Sequence, residues 1–363
     1  HTPPSFAEVF FTPSMRFLVL LALPLLAGSV LLRRNGAALS SAPPKAQSCP
    51  APESVSCSKK HAARGHIALF IVGVKHRFMM NSTMEKVVRR YVDDGYAVHL
   101  YVSLIMDASG AGNSVSARSF GQEDPAIEKM KPTELHEYIR SAVHSVGACL
   151  MCAEFPERPE PLPHLPENPG QLQQYPPSTT VDGKRLMNLW LRRERLWNVT
   201  LSVERHLDKK YDFLLWVPDS SLWIDKAARP SEILKDDFAK TTVWLRDCTT
   251  VGENNDHVVA FGRDAAPTML TLYSSFLQGG LLEETVSCEE YLISAAMSRA
   301  LWMNLSRFEL FPEIDSMYYG DTHNLSTCIF GTYWCEGYTR ESMGLKEEFC
   351  EAVERRMKSS ENI

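Results

Sequence analysis

Apolar positions along this chain fall into blocks whose period changes from place to place, and those blocks predict the elements. His66–Val74 is a continuous β-rich apolar run, the pattern of a strand buried on both faces of a sheet. Ser82–Glu85 has the form of a helix capping box, Met84–Tyr91 continues with helical spacing, and Asp93-Asp94-Gly95 ends it. A second strand-like run covers Tyr96–Ile105. Strand, helix and strand within about 40 residues make a βαβ unit with a right-handed crossover and a locally parallel sheet. Ligands of such sheets sit at the carboxyl ends of the strands.

Thr133–Val146 predicts a further helix and Ala148–Phe155 a short apolar run. The Pro-dense stretch Pro156–Pro177 is longer than ordinary connections and is read as an insertion in preference to a lid over a site. A long amphipathic helix is predicted over Gly183–Lys210, with Arg192, Arg193, Arg195 and Arg205 assigned mostly to its solvated face. It feeds into Tyr211–Trp223, a buried strand that ends on the carboxylate of Asp219 and resumes as apolar chain.

The first 64 residues of the pattern are different. Residues before Met15 are set aside as preceding a natural start. An uncharged run of 16 residues, Phe17–Leu32, lies between Arg16 and Arg33-Arg34, short of the roughly 20 residues that span an average bilayer. Ala27-Gly28-Ser29 offers a signal-peptidase site, and an uncleaved run makes a type II anchor. A strict positive-inside count would instead leave the body in the cytosol. Asn35–Arg64, rich in Ala, Ser, Pro and Lys, reads as a stalk. The expected layout is therefore 1–34 leader and signal or anchor, 35–64 stalk, 65–340 a single α/β domain with its Pro-rich insertion at 156–180, and 341–363 a C-terminal helix or tail.

Cysteines and glycosylation sequons favour the lumenal side. All nine cysteines follow the apolar run, as do the acceptors Asn81, Asn198, Asn304 and Asn324, which suits an oxidising compartment. The predicted address is the Golgi or endoplasmic reticulum lumen, or the exterior after cleavage. A net charge of −6 over 363 residues lacks the basic footprint of a nucleic-acid binder. Cys149-Leu150-Met151-Cys152 has the spacing of a redox dithiol or half a zinc site, but no second such pair follows and structural disulfides are the preferred reading. Histidine clusters, a Gly-x-Ser-x-Gly elbow and a phosphate-binding Walker loop are missing from the sequence.

The chemistry centres on Asp219. A divalent cation held by a strand-end Asp neutralises a departing diphosphate while bridging its oxygens. The long helix, Tyr211-Asp212, the apolar strand and Pro218-Asp219-x-x-x-Trp223 together resemble the metal-site region of GT-A glycosyltransferases, and more narrowly an uncharacterised glycosyltransferase-like group of algae and microbial eukaryotes. The similarity runs from His66 to about Phe311. It includes Gly73 and Arg77 after the first strand, Arg246-Asp247-Cys248, Gly252 and Asn255-Asp256-His257 before Val-Val-Ala-Phe-Gly, and Ser287-Cys288-Glu289-Glu290 opening a later helix. The resemblance implies a Rossmann-like GT-A fold with a central, mostly parallel sheet flanked by helices. It also implies a nucleotide-sugar donor, a Mn²⁺ or Mg²⁺ ion at Asp219, donor contacts from Gly73 and Arg77, and acceptor-side catalysis by Asp256 or Glu289, with a glycan or glycoprotein as acceptor. The chain departs from the pattern at Asp219-Ser220-Ser221, which keeps only the first acid of Asp-x-Asp, with Asp225 a weaker substitute. A catalytically silent lumenal domain that binds glycans or proteins is the alternative.

Overall fold

The first strand, β1 (Gly65–Val74), alternates with period 2 into two separate cores. Ile67, Leu69 and Ile71 enter one, and Ala68, Phe70 and Val72 enter the other. Both faces are covered, so the strand is apolar throughout, as a central strand of an α/β sheet requires. The described residues of the computed structural model are 49, 64–106, 126–164, 183–223, 226–246, 258–278, 302–306 and 313–315.

After β1, a short 3₁₀ turn (Lys75–Arg77) leads into α1 (Met80–Thr83), a π-helical stretch (Met84–Val88) and α2 (Arg89–Asp93), which run on as one helix. β2 (Tyr96–Ile105) pairs parallel with β1 in full register. The helix α3 (Ala126–Lys129), α4 (Pro132–Ser145) and β3 (Cys149–Glu154) follow, and β3 adds parallel to β2. α5 (Gly183–Leu207) returns the chain to the other side of β1, where β4 (Phe213–Pro218) pairs parallel with it. The remainder comprises β5 (Ser221–Trp223), α6 (Pro230–Ile233), β6 (Thr242–Arg246), β7 (Val259–Gly262), α7 (Ala266–Leu270), α8 (Leu272–Leu277), β8 (Trp302–Ser306) and β9 (Glu313–Asp315).

The large sheet has the order β3-β2-β1-β4-β7-β6-β8. β7 is antiparallel to both neighbours, and the other pairings are parallel. β5 and β9 form a separate antiparallel pair. This is the Rossmann-like α/β architecture expected, a mostly parallel sheet with helices on both faces. One core lies between the sheet and α1, α2 and α4, and the other between the sheet and α5, α7 and α8.

Local details depart from expectation for identifiable reasons. The first helix begins at Met80, not at Ser82, because Thr83 Oγ1 donates back to the Met79 carbonyl at 2.9 Å and Glu85 pairs with Arg89 in place of capping. The Cys-x-x-Cys pair lies on β3, where a register shift between Leu100 and Tyr101 leaves Met151 as the extra residue. That bulge turns Cys149 and Cys152, three residues apart, into the same core. Cys152 is disulfide-bonded to Cys49, and Cys149 is disulfide-bonded as well, so neither is a free redox thiol.

Polar side chains buried under α5 knit the amino-terminal end of the sheet. Glu204 accepts both arms of Arg263 at 2.7 Å and the Tyr211 amide at 3.0 Å. The Tyr211 hydroxyl lies 2.6 Å from His99 Nδ1 and 2.7 Å from the Tyr101 hydroxyl. Burial, and then the neighbouring His66, pushes the His99 pKa down to about 3. The folded state therefore refuses a proton that the unfolded chain accepts below its ordinary value of 6.5, and stability is lost as pH falls through that window. Urea denaturation at pH 6.5 and 5.0 should show His99→Gln losing less stability on acidification than the wild type, by about 2 kcal/mol.

Candidate functional site

The site is set by where strand order reverses. From β1 the chain builds outward through β2 and β3, then crosses back to place β4 on the opposite side of β1. The carboxyl ends of β1 and β4 therefore flank a topological switch point, where open α/β sheets form their ligand crevice. Gly73 and Asp219 lie there, one residue beyond the last β1–β4 register pair, Val72 and Pro218.

Asp219 ties both ends of the turn that follows β1. Its Oδ2 accepts the Val74 amide at 2.9 Å and Arg77 Nε at 2.8 Å, and its Oδ1 accepts Arg77 Nη2 at 2.9 Å. Its main-chain carbonyl accepts the Met79 amide at 2.9 Å. The carboxylate is 3% exposed and the Arg77 side chain 15%. Such a bidentate, charge-assisted pair fixes orientation as well as distance. Gly73 makes room for it, since a Cβ at that position would sit 2.0 Å from Asp219 Cγ.

Arg192 of α5 grips the same turn from the other core. Nη1 and Nη2 donate to the Gly73 carbonyl at 3.1 Å, Nε donates to Ser103 Oγ at 3.0 Å, and Nη2 also donates to the Ser103 carbonyl. It thus clamps the ends of β1 and β2 together. Burial pushes the Arg192 pKa down to about 10, against the opposing pull of Asp219, Glu154 and Glu160, so the guanidinium stays charged at neutral pH. Arg193 lies buried with its guanidinium carbon 4.1 Å from the Trp216 ring centroid. These two arginines correct the solvated-face assignment: along this stretch α5 packs against the sheet and also against α7 and α8. Arg205 is exposed, as expected.

Glu154, at the end of β3, has its pKa raised by burial, against the opposing fields of Arg195 and Arg192. Arg195 pairs with Glu160 of the following loop, whose carbonyl also accepts Asn188 Nδ2 at 2.9 Å. That loop is fastened again where Tyr273 hydroxyl donates to the His164 carbonyl at 3.0 Å. The Pro-rich chain is thus bound to α5 and α8 at least as far as His164.

The site residues picked from sequence separate into two sets. Gly73, Arg77 and Asp219 come together at one sheet end. Asp256, Glu289 and Asp225 lie outside the described residues. Sequence reasoning passed over Arg192 and Ser103 as parts of this site, although an Arg in the apolar stripe of a helix was a usable signal.

As seated, these residues do not fit a divalent cation. Carboxylates offer about four acceptor positions, and three at Asp219 are taken. The residues after it are Ser220 and Ser221, both buried, and Ser221 Oγ is without a hydrogen-bond partner. Among the described residues, the group of His, Cys and acidic side chains with metal-ligand spacing is Cys49, Cys152 and Glu154, and its two sulfurs are joined as a disulfide.

Two crystal structures of the glycosyltransferase GlyE from Streptococcus pneumoniae TIGR4 are similar to this chain. One matches at 8% identity and TM-score 0.33, and the apo form at 9% and 0.35, each over 66% of this chain. The chain covers 44% of the length of either structure. No family model and no curated protein matches the sequence.

Proposed function

We propose that this chain is a glycosyltransferase-like protein of the secretory pathway, taking a sugar from a nucleotide-sugar donor to a glycan or protein acceptor. One observation carries the reading. At the β1–β4 switch point, a Gly73 turn rich in basic residues (Lys75, His76 and Arg77) is held in one geometry by Asp219 and Arg192, which is where a Rossmann-like GT-A sheet receives a diphosphate. The pyrophosphate lies along that turn, with cationic side chains offsetting the charge that grows on the leaving nucleotide. Asp256, and Glu289 with it, act on the acceptor side, one of them taking the proton of the attacking hydroxyl.

Disulfides at Cys49–Cys152 and at Cys149 favour an oxidising lumen. Among the described residues no helix is long and apolar enough to cross a membrane; the run at Phe17–Leu32 lies outside them. Anchoring through that run, in the Golgi or endoplasmic reticulum, completes the proposal.

The lone acid at Asp219, with Ser221 two residues on, favours one second reading, a silent glycan- or protein-binding domain of the same fold. Nucleotide release decides between them. The purified chain is incubated with a panel of uridine, guanosine and cytidine nucleotide sugars and mixed acceptors. Acceptor-dependent release from one donor is expected, falling about 10²- to 10⁴-fold in Asp256→Ala. Release from none of them would leave the binding domain.

A further inference from the structure

We propose that Asp219 is a positioning residue that clasps the Gly73–Arg77 turn in place of a cation, so that a donor diphosphate is met here by basic side chains without a divalent metal. The clasp stands on geometry alone, and its consequence for the donor rests on the nucleotide-sugar reading above. Three donors already occupy the carboxylate, namely the Val74 amide, Arg77 Nε and Arg77 Nη2. A cation reaching the remaining lone pair would stand beside the Arg77 guanidinium, with like charges in a buried setting where screening is weak. A cation site of this kind draws on one or two carboxylates plus substrate phosphates, yet Ser220 and Ser221 offer only hydroxyls. The other carboxylate at this sheet end, Glu154, has its pKa raised by burial and faces Arg195 and Arg192. Positive charge is already supplied: Lys75, Arg77, Arg192 and Arg195 against Asp219, Glu154 and Glu160 make four cationic side chains to three acidic ones. Gly73 is part of the same device, because a Cβ there would occupy the carboxylate's place.

The test compares wild type, Asp219→Asn, Arg77→Lys and the double variant Asp219→Asn/Arg77→Met in buffer containing EDTA. Breaking a buried pair leaves an uncompensated charge, so Asp219→Asn should lower the melting temperature by roughly 10 °C. Arg77→Lys should lower it by about half as much, since an ammonium cannot fork. The double variant should recover part of the loss by removing both charges. In wild type without nucleotide, Mn²⁺ should give only its free-ion electron paramagnetic resonance spectrum. The affinity for UDP, GDP or CDP, whichever binds, should differ by less than twofold between EDTA and Mn²⁺.

Unchanged melting temperatures for Asp219→Asn and Arg77→Lys in EDTA, with stoichiometric Mn²⁺ bound by wild type and lost in Asp219→Asn, would overturn the proposal. If Asp219→Asn does not fold, Arg77→Lys decides, because a carboxylate not clasped in solution would leave its melting temperature at the wild-type value. Failure of all three diphosphates to bind in either buffer would remove the nucleotide-sugar reading and with it the donor clause, while the melting temperatures still decide the clasp.

Discussion

Arg192→Met should destabilise the protein by about 3–5 kcal/mol in urea denaturation at pH 7. Arg192 is 5% exposed, and its guanidinium is the hydrogen-bond donor to the Gly73 carbonyl, the Ser103 carbonyl and the Ser103 hydroxyl. Methionine fills much of the volume but donates to none of them, and an unsatisfied buried acceptor costs about 1–3 kcal/mol. Arg192→Lys should recover only part of this, because one ammonium cannot reach two strand ends in a fixed fork. Arg205 supplies the internal comparison. It lies on the same helix but is exposed, with bonds to the Leu201 carbonyl and the Ser202 hydroxyl one turn away, so Arg205→Met should stay within about 0.5 kcal/mol. Equal effects at the two positions would mean that the strand-end clamp carries no energy.

That contrast marks where sequence reading succeeds on this chain and where it stops. The strands His66–Val74 and Tyr96–Ile105 were legible because both faces are buried, so the apolar run and its length are local signals. The end of the strand at Asp219 was legible for the same reason. What Asp219 does was not, because its partners Val74 and Arg77 stand 145 and 142 residues earlier, and no local pattern announces a pairing across the switch point. The arginines of α5 misled for a related reason. An amphipathic pattern assigns charge to solvent by default, but Arg192 and Arg193 lie on the part of α5 that is buried, so they are charges with structural partners. The helix start failed locally instead: Ser82 and Thr83 donate to the Met79 carbonyl behind them, and Ser82 Oγ accepts the distant Trp223 amide, a competing use of the same side chains.

Gly73→Ala should cost about 3 kcal/mol of stability and, under the proposed function, weaken nucleotide diphosphate binding at least tenfold, equivalent to about 1.4 kcal/mol. The added Cβ would lie 2.0 Å from Cγ and 2.1 Å from Oδ1 of Asp219, so one of the two must move. If the carboxylate swings away, it forfeits the Val74 amide and both arms of Arg77. If the end of β1 moves instead, it pulls against the Val72–Pro218 pairing and the Arg192 grip on the Gly73 carbonyl. Either route loosens the turn that presents the basic side chains, which is why binding and stability fall together. Gly65→Ala separates the two effects: its Cβ would lie 2.1 Å from Asp212 Oδ2 at a φ of +150°, a comparable clash at the opposite end of the same strand. It should lose stability but keep wild-type diphosphate affinity in isothermal titration. Adding Asp219→Ala to Gly73→Ala relieves the clash, so it should return some stability without returning affinity, because the clasp is gone. Recovery of full affinity in that double variant would show that neither Gly73 nor Asp219 shapes the site.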